Sequence, residues 1–127
     1  MLSSTNRMRR STDFSHTVRS GARSGRRNLV LYATSREAGL PSSFGFIVSK
    51  AIGNAVTRNL VKRRLREIAA RILEEYPQGV SVVVRALPSA GASDFNALAK
   101  DFRKAFSTVV SKARQAEPPV EQKGSAE

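Results

Sequence analysis

Between Ala55 and Leu73 the chain keeps two helical periodicities at once, and few folds can use both. Val61, Leu65, Ile68 and Ile72 recur at i, i+4, i+7 and i+11, the spacing of a stripe that faces a core. Arg58, Lys62 and Arg66 recur at i, i+4 and i+8 about a quarter of a turn away, with Asn59 and Arg63 beside them. Such a helix must pack on one side and present a row of cations along the packing seam. Traced back to Ser49, the run SKAIGNAVTRNLVKRRLRE adds Lys50 and Arg64. The result is a folded surface suited to a polyphosphate rather than a free basic tail.

At 127 residues and 40% hydrophobic content the chain has material for one modest core. Its formal net charge of +12 is unevenly placed. Residues 1–71 hold fifteen Lys or Arg against three Asp or Glu, whereas residues 72–127 hold seven of each. Nucleic acid is the leading partner for such an asymmetry, ahead of an anionic membrane surface and of a merely solvated basic face, and charge does not choose between RNA and DNA. Cysteine is absent, which excludes disulfides, thiolate zinc sites and a cysteine nucleophile. No stretch reaches the roughly 20 apolar residues of a membrane span, so the expected location is the cytoplasm.

Along the chain, 1–10 is polar and basic without periodicity and is expected as a flexible arm. Ser11 and Thr12 before Asp13 read as an N-cap, and Phe14 and Val18 lie one turn apart, so a short helix is expected over about 13–20. Leu29 to Ala33 and Phe44 to Ser49 read as strands, the second with Phe44, Phe46 and Val48 on one face. Gly53 and Asn54 form a turn before the basic helix, since both tolerate positive φ and Asn can cap. After Pro77 and Gly79, Val80 to Arg85 is a third strand, and its Val-Val-Val run marks it as central. Ser93 is expected to cap a last helix in which Phe95, Leu98, Phe102, Phe106 and Val109 face the core. The sequence thus divides into the arm, a single α+β domain over 11–112 with helices on one side of a small sheet, and a disordered tail over 113–127.

The run from Ile47 to Glu67 resembles the signature of the bacterial ribonuclease P protein subunit. In that signature a strand ends in Ser-Lys, a Gly-Asn-Ala turn follows, and a helix carries Arg-Asn and then Lys-Arg. Asp13-Phe14, Leu31-Tyr32, the valine-rich strand followed by Pro88 and the Phe-bearing last helix fall in the family's order, so the similarity extends over roughly residues 7–111. It implies a small four-stranded mixed sheet in the order αβββαβα, like the ribosomal protein S5 domain 2-like fold. The family joins its parallel strands by a left-handed βαβ crossover, against the usual preference.

The resemblance further implies an accessory protein that binds a large catalytic RNA and the single-stranded 5′ leader of precursor tRNA, with hydrolysis carried by magnesium ions held by the RNA. No catalytic residue and no metal ligand is then expected in the protein, no cofactor is bound by the protein alone, and no protein partner or membrane is required. The residues agree with this: His16, the single histidine, reads as an exposed helix residue, and Asp13, Glu37 and Glu67 are too sparse for a two-ion site. Carried over by position, Phe14, Val18, Tyr32 and Val48 would line the floor of a leader cleft, and Ser49, Lys50, Arg58, Asn59, Lys62 and Arg66 its polar wall. Arg7, Arg9, Arg10, Arg58, Lys62, Arg63 and Arg64 would meet the catalytic RNA or phosphates, and Arg23, Arg26 and Arg27 would join Arg7, Arg9 and Arg10 in a second basic group. The chain departs from the family at Ala51, Leu60 and Val18, and at Arg85, which stands further from the proline than the usual cation. A structural protein that binds ribosomal RNA is the alternative reading.

Overall fold

The computed structural model describes residues 2–116. The doubly periodic segment forms α2 (Ala55–Glu75), which buries Val61, Leu65, Ile68, Ala69 and Ile72. Gly53 sits at φ 151°, a conformation that favours glycine, and the Asn54 Oδ1 accepts the Thr57 N–H at 2.9 Å. One orphan amide of the helix start is thereby paired. Asn54→Ala is expected to lower stability by about 1 kcal/mol, read by urea denaturation, and Asn54→Asp to retain most of it.

Four strands follow the expected order: β1 (Ala22–Gly25), β2 (Leu29–Ser35), β3 (Ser43–Ile47) and β4 (Val80–Ala86). They lie side by side as β1-β2-β4-β3, with β1–β2 and β2–β4 antiparallel and β3–β4 parallel. The sheet is mixed, and α2 is the crossover between its parallel pair. The Val-Val-Val run is central as expected, with Val82, Val83 and Val84 fully buried. β1 has no apolar alternation of its own and is held by its register with β2.

One sheet face carries Leu29, Leu31, Ala33, Phe44, Val82 and Val84 into the main core with α2 and α3 (Phe95–Ala116). Phe102 and Phe106 of α3 stack around Phe44 with ring centroids 6.3 and 6.1 Å away. The other face carries Val30, Tyr32 and Val83 under α1 (Ser11–Ser20), whose Phe14 and Val18 pack on them. The helices therefore occupy both faces rather than one. A sheet whose central strands are apolar on both sides must be covered on both, and α1, ten residues long, covers the second.

Four local expectations change. The segment expected as a flexible arm lies against the sheet, with Leu2 2% and Met8 8% exposed. Met8 N donates to Phe44 O at 2.9 Å and Asn6 Nδ2 to Ser42 O at 2.7 Å, so the segment satisfies the free edge of β3. α1 begins at Ser11 without a side-chain cap, and Asp94 rather than Ser93 caps α3, its Oδ1 accepting the Ala97 N–H at 2.8 Å. Residues 113–116 of the expected tail continue α3, with Ala113 buried; residues 117–127 lie outside the described residues.

Candidate RNA interface

Ladder partners project to the same side of a sheet, so the register assigns the α1-bearing face row by row. Arg23, Tyr32, Val83 and Gly45 form one row, and Gly25, Val30, Arg85 and Ile47 the next. In the other direction Thr34, Ser81 and Ser43 form a polar row. A Cβ added at Gly45 would stand 2.5 and 2.6 Å from the Phe14 ring, so the missing side chain is the seat of that ring. Phe14, Val18, Ile47 and Leu87 stay partly exposed above the buried Tyr32 and Val83. The face is thus an apolar shelf with an aromatic ring at one level and a cation, Arg85, at the next.

Of the expected floor, Phe14, Val18 and Tyr32 do come together in one apolar cluster. Val48 does not: it packs with the main core, on the side of Phe44 and Phe46, and Ile47 takes the place on the shelf. Strand parity is the reason, because Val48 shares a face with Phe44 and Phe44 is inside. Tyr32 is 7% exposed and so is covered by its neighbours more than it is offered to a ligand.

Ser49 and Lys50 are exposed where β3 ends, and the Ser49 Oγ accepts the Ala51 N–H at 3.3 Å to open a short 3-10 turn. From there α2 starts, with Arg58, Lys62 and Arg66 half-buried along one flank and Asn59 and Arg63 exposed beyond them. Among the described residues the ion pairs are Glu67–Arg71 at 2.8 Å and Glu75–Arg103 at 3.7 Å, and neither engages this row. The Arg58 Nε is shut off from solvent without a hydrogen-bond partner, a state that costs about 1–3 kcal/mol until an acceptor arrives. Arg64 differs from its neighbours: it lies on the opposite flank and donates to Ser93 O at 2.9 Å, which ties α2 to the start of α3.

The second basic group is divided. Arg7, Arg9 and Arg10 belong to the segment beside β3, while Arg23, Arg26 and Arg27 sit on β1 and its hairpin at the far edge, four strand spacings or about 19 Å away. No one contact spans both. The residues missed by position, Ile47, Val30, Val83 and Leu87, carried a signal in parity: once Phe44 is inside, every odd position of β3 and β4 faces the shelf.

The family model described as Ribonuclease P matches residues 2–110. Proteins named ribonuclease P protein component are 56% identical in Arthrobacter sp. strain FB24, where 87% of this chain and 81% of the relative are covered, and 50% identical in Pseudarthrobacter chlorophenolicus, where 99% and 93% are covered. The solved RNase P protein of Staphylococcus aureus superposes with a TM-score of 0.71 at 23% identity, covering 81% of this chain and 94% of that one. The Thermotoga maritima RNase P protein superposes with a TM-score of 0.67 at 26% identity, covering 76% and 94%.

Proposed function

Since this chain belongs to the ribonuclease P protein family, and so is a protein component of an RNA-containing endoribonuclease, we propose that it binds the catalytic RNA together with the single-stranded 5′ leader of precursor tRNA. The observation that carries the reading is the pairing of two surfaces: an apolar shelf with Phe14 partly exposed, and a cationic row, without an ion-pair partner among the described residues, on the helix that follows the shelf's outer strand. Unpaired bases stack on aromatic rings for about 1–3 kcal/mol each, while Lys and Arg follow phosphates with little base preference. That combination suits an enzyme that meets many leader sequences.

In this reading the protein positions and the RNA reacts. Hydrolysis, with the magnesium ions that would supply an attacking hydroxide, is assigned to the RNA. The chain's own residues hold the leader: Phe14 takes a base, Lys50, Arg58, Lys62 and Arg66 take phosphates, and an RNA oxygen accepting from the Arg58 Nε relieves its unmet donor. Arg7, Arg9, Arg10 and Arg63 face the catalytic RNA. Among the described residues no helix is long and apolar enough to cross a membrane, and the cytoplasm, where tRNA is made in bacteria, is the assigned location.

The test is cleavage of precursor tRNA at low magnesium by a bacterial ribonuclease P RNA, with and without the protein, using long and one-nucleotide leaders. Stimulation is expected with the long leader and not with the short one. Equal stimulation of both would remove the leader from the reading, no stimulation would favour a structural role on ribosomal RNA, and cleavage by the protein alone would overturn the assignment of chemistry to the RNA.

A further inference from the structure

The turn from β1 to β2 lies at the end of the sheet where β3 leads into α2, and it carries Arg26 and Arg27. Both are exposed, and among the described residues neither has an ion-pair partner. A two-arginine turn at a sheet edge is ordinarily loose, yet the backbone of this one is held from outside the hairpin. Ser89 Oγ donates to Arg27 O at 2.7 Å and Leu87 N to Asn28 O at 2.9 Å. Asn28, 5% exposed, gives its backbone N–H and its Nδ2 to one carboxylate oxygen of Asp101, at 3.1 and 3.0 Å. No residue of the turn has the positive φ that short hairpin loops adopt to follow strand twist, so these bonds set its shape. What the turn leaves to solvent is its two guanidinium groups.

The segment that holds the turn also reaches the other basic surface. Residues 88–92 form a 3-10 turn, and a Cβ added at Gly91 would stand 2.6 Å from Ile52 O, so this backbone lies directly against the start of α2. Ser93 O accepts from Arg64 one step further on. The hairpin and the cationic helix are therefore fixed to one another, with the exposed Arg85 in the sheet between them and roughly 10 Å from β2 to β3.

Two guanidinium groups without a carboxylate select phosphate. Rigidity selects the kind of RNA. A contact held in advance strengthens binding most when the partner is equally rigid, since nothing further is then ordered; a single-stranded leader adapts to wherever the cations are. Asp101 sets a negative charge beside the arginines, which opposes phosphate binding, and the bonds it accepts from Asn28 account for its place. We propose that the β1–β2 turn is a second contact for phosphates of the folded catalytic RNA, separate from the α2 row, and that Ser89 and Asp101 are the positioning residues that hold it. This rests on the reading that the chain binds that RNA.

The experiment measures binding of a bacterial ribonuclease P RNA, without precursor, over a salt series. Changing Arg26 and Arg27 together to glutamine is expected to weaken binding roughly tenfold and to flatten the salt dependence by about 1.5 units, roughly 0.7–0.9 for each of two phosphates. The ratio of affinities for long-leader and one-nucleotide-leader precursors should not change in the assembled complex. Ser89→Ala and Asp101→Ala should each weaken RNA binding about threefold through lost preorganisation. On charge alone Asp101→Ala would tighten it, so a loss reports position. In the double-glutamine background neither variant should weaken RNA binding further, while any fall in melting temperature persists. The Ser89 bond is exposed, so Ser89→Ala carries the test if Asp101→Ala does not fold. Unchanged affinity and slope in the arginine variant overturn the contact, and a loss confined to long-leader precursors overturns its assignment to the catalytic RNA. Losses from Ser89→Ala and Asp101→Ala that persist without the arginines overturn the positioning role. An unmodified protein that does not bind the RNA overturns the reading beneath as well.

Discussion

Changing Arg58, Lys62 and Arg66 together to glutamine is expected to weaken binding of a long-leader precursor roughly 50-fold at physiological salt. It should also flatten the dependence of log K on log salt by about 2 units, roughly 0.7 for each phosphate that is no longer neutralised. Glutamine keeps most of each stem, which matters because all three residues are half-buried along the seam of α2. The effect is then one of charge and not of packing. Arg64→Gln provides the contrast: its guanidinium is engaged by Ser93 O, so it should cost about 1 kcal/mol of stability with little change in slope. A triple variant with the slope of the unmodified protein would show that this row does not touch RNA, whatever its net effect on affinity.

How much of this was legible in the sequence varies with the kind of signal. The seam and the cationic row of α2 could be read because both repeat at the helical period over many residues, with sharp contrast between valine or leucine and arginine. The Val-Val-Val strand was legible as central for the same reason. β1 was not, since Ala22, Arg23, Ser24 and Gly25 carry no strand preference, and the segment is extended only because β2 offers it a ladder. Leu2 and Met8 were hidden in a polar, basic stretch, where two isolated apolar residues make no pattern; it is the open edge of β3 that calls them in. The placement of helices on a single face failed because Tyr32 was given to the floor of a cleft and not to a second helix-covered face, although alternation puts it and Val83 on the far side from Leu31 and Val82.

The candidate site shows the same division. Residue types pointed to RNA, and the resemblance supplied positions, yet Val48 was placed on the shelf against its own alternation with Phe44 and Phe46. Arg64 looked equivalent to Arg63 in a run of cations, and only the fold shows that one is tied to a carbonyl and the other is exposed. Asn28, Ser89 and Asp101 are far apart in sequence and chemically ordinary, so their convergence on the β1–β2 turn is a property of topology alone.

Gly45→Val is the second large effect expected, on stability and on leader recognition together. No propensity argument marks this glycine: it sits in a strand, where glycine is a weak choice, and its value lies in the volume it leaves to the Phe14 ring. A valine there forces the ring off the sheet, and α1 with it, since Phe14 and Val18 are the apolar contacts that hold this short helix down. The expected loss is about 1–3 kcal/mol of stability, as in other overpacked sites, with stimulation on long leaders falling to the level of one-nucleotide leaders. The cause can be isolated by a cycle. Gly45→Ala and Phe14→Ala should each destabilise, and the double variant should be more stable than the sum of the two predicts, because removing the ring vacates the space that the new methyl needs. Leader discrimination should not return in the double variant, since the stacking surface is gone. Additive losses would mean that the ring and the glycine do not share this space, and recovery of discrimination without Phe14 would move the aromatic contact elsewhere on the shelf.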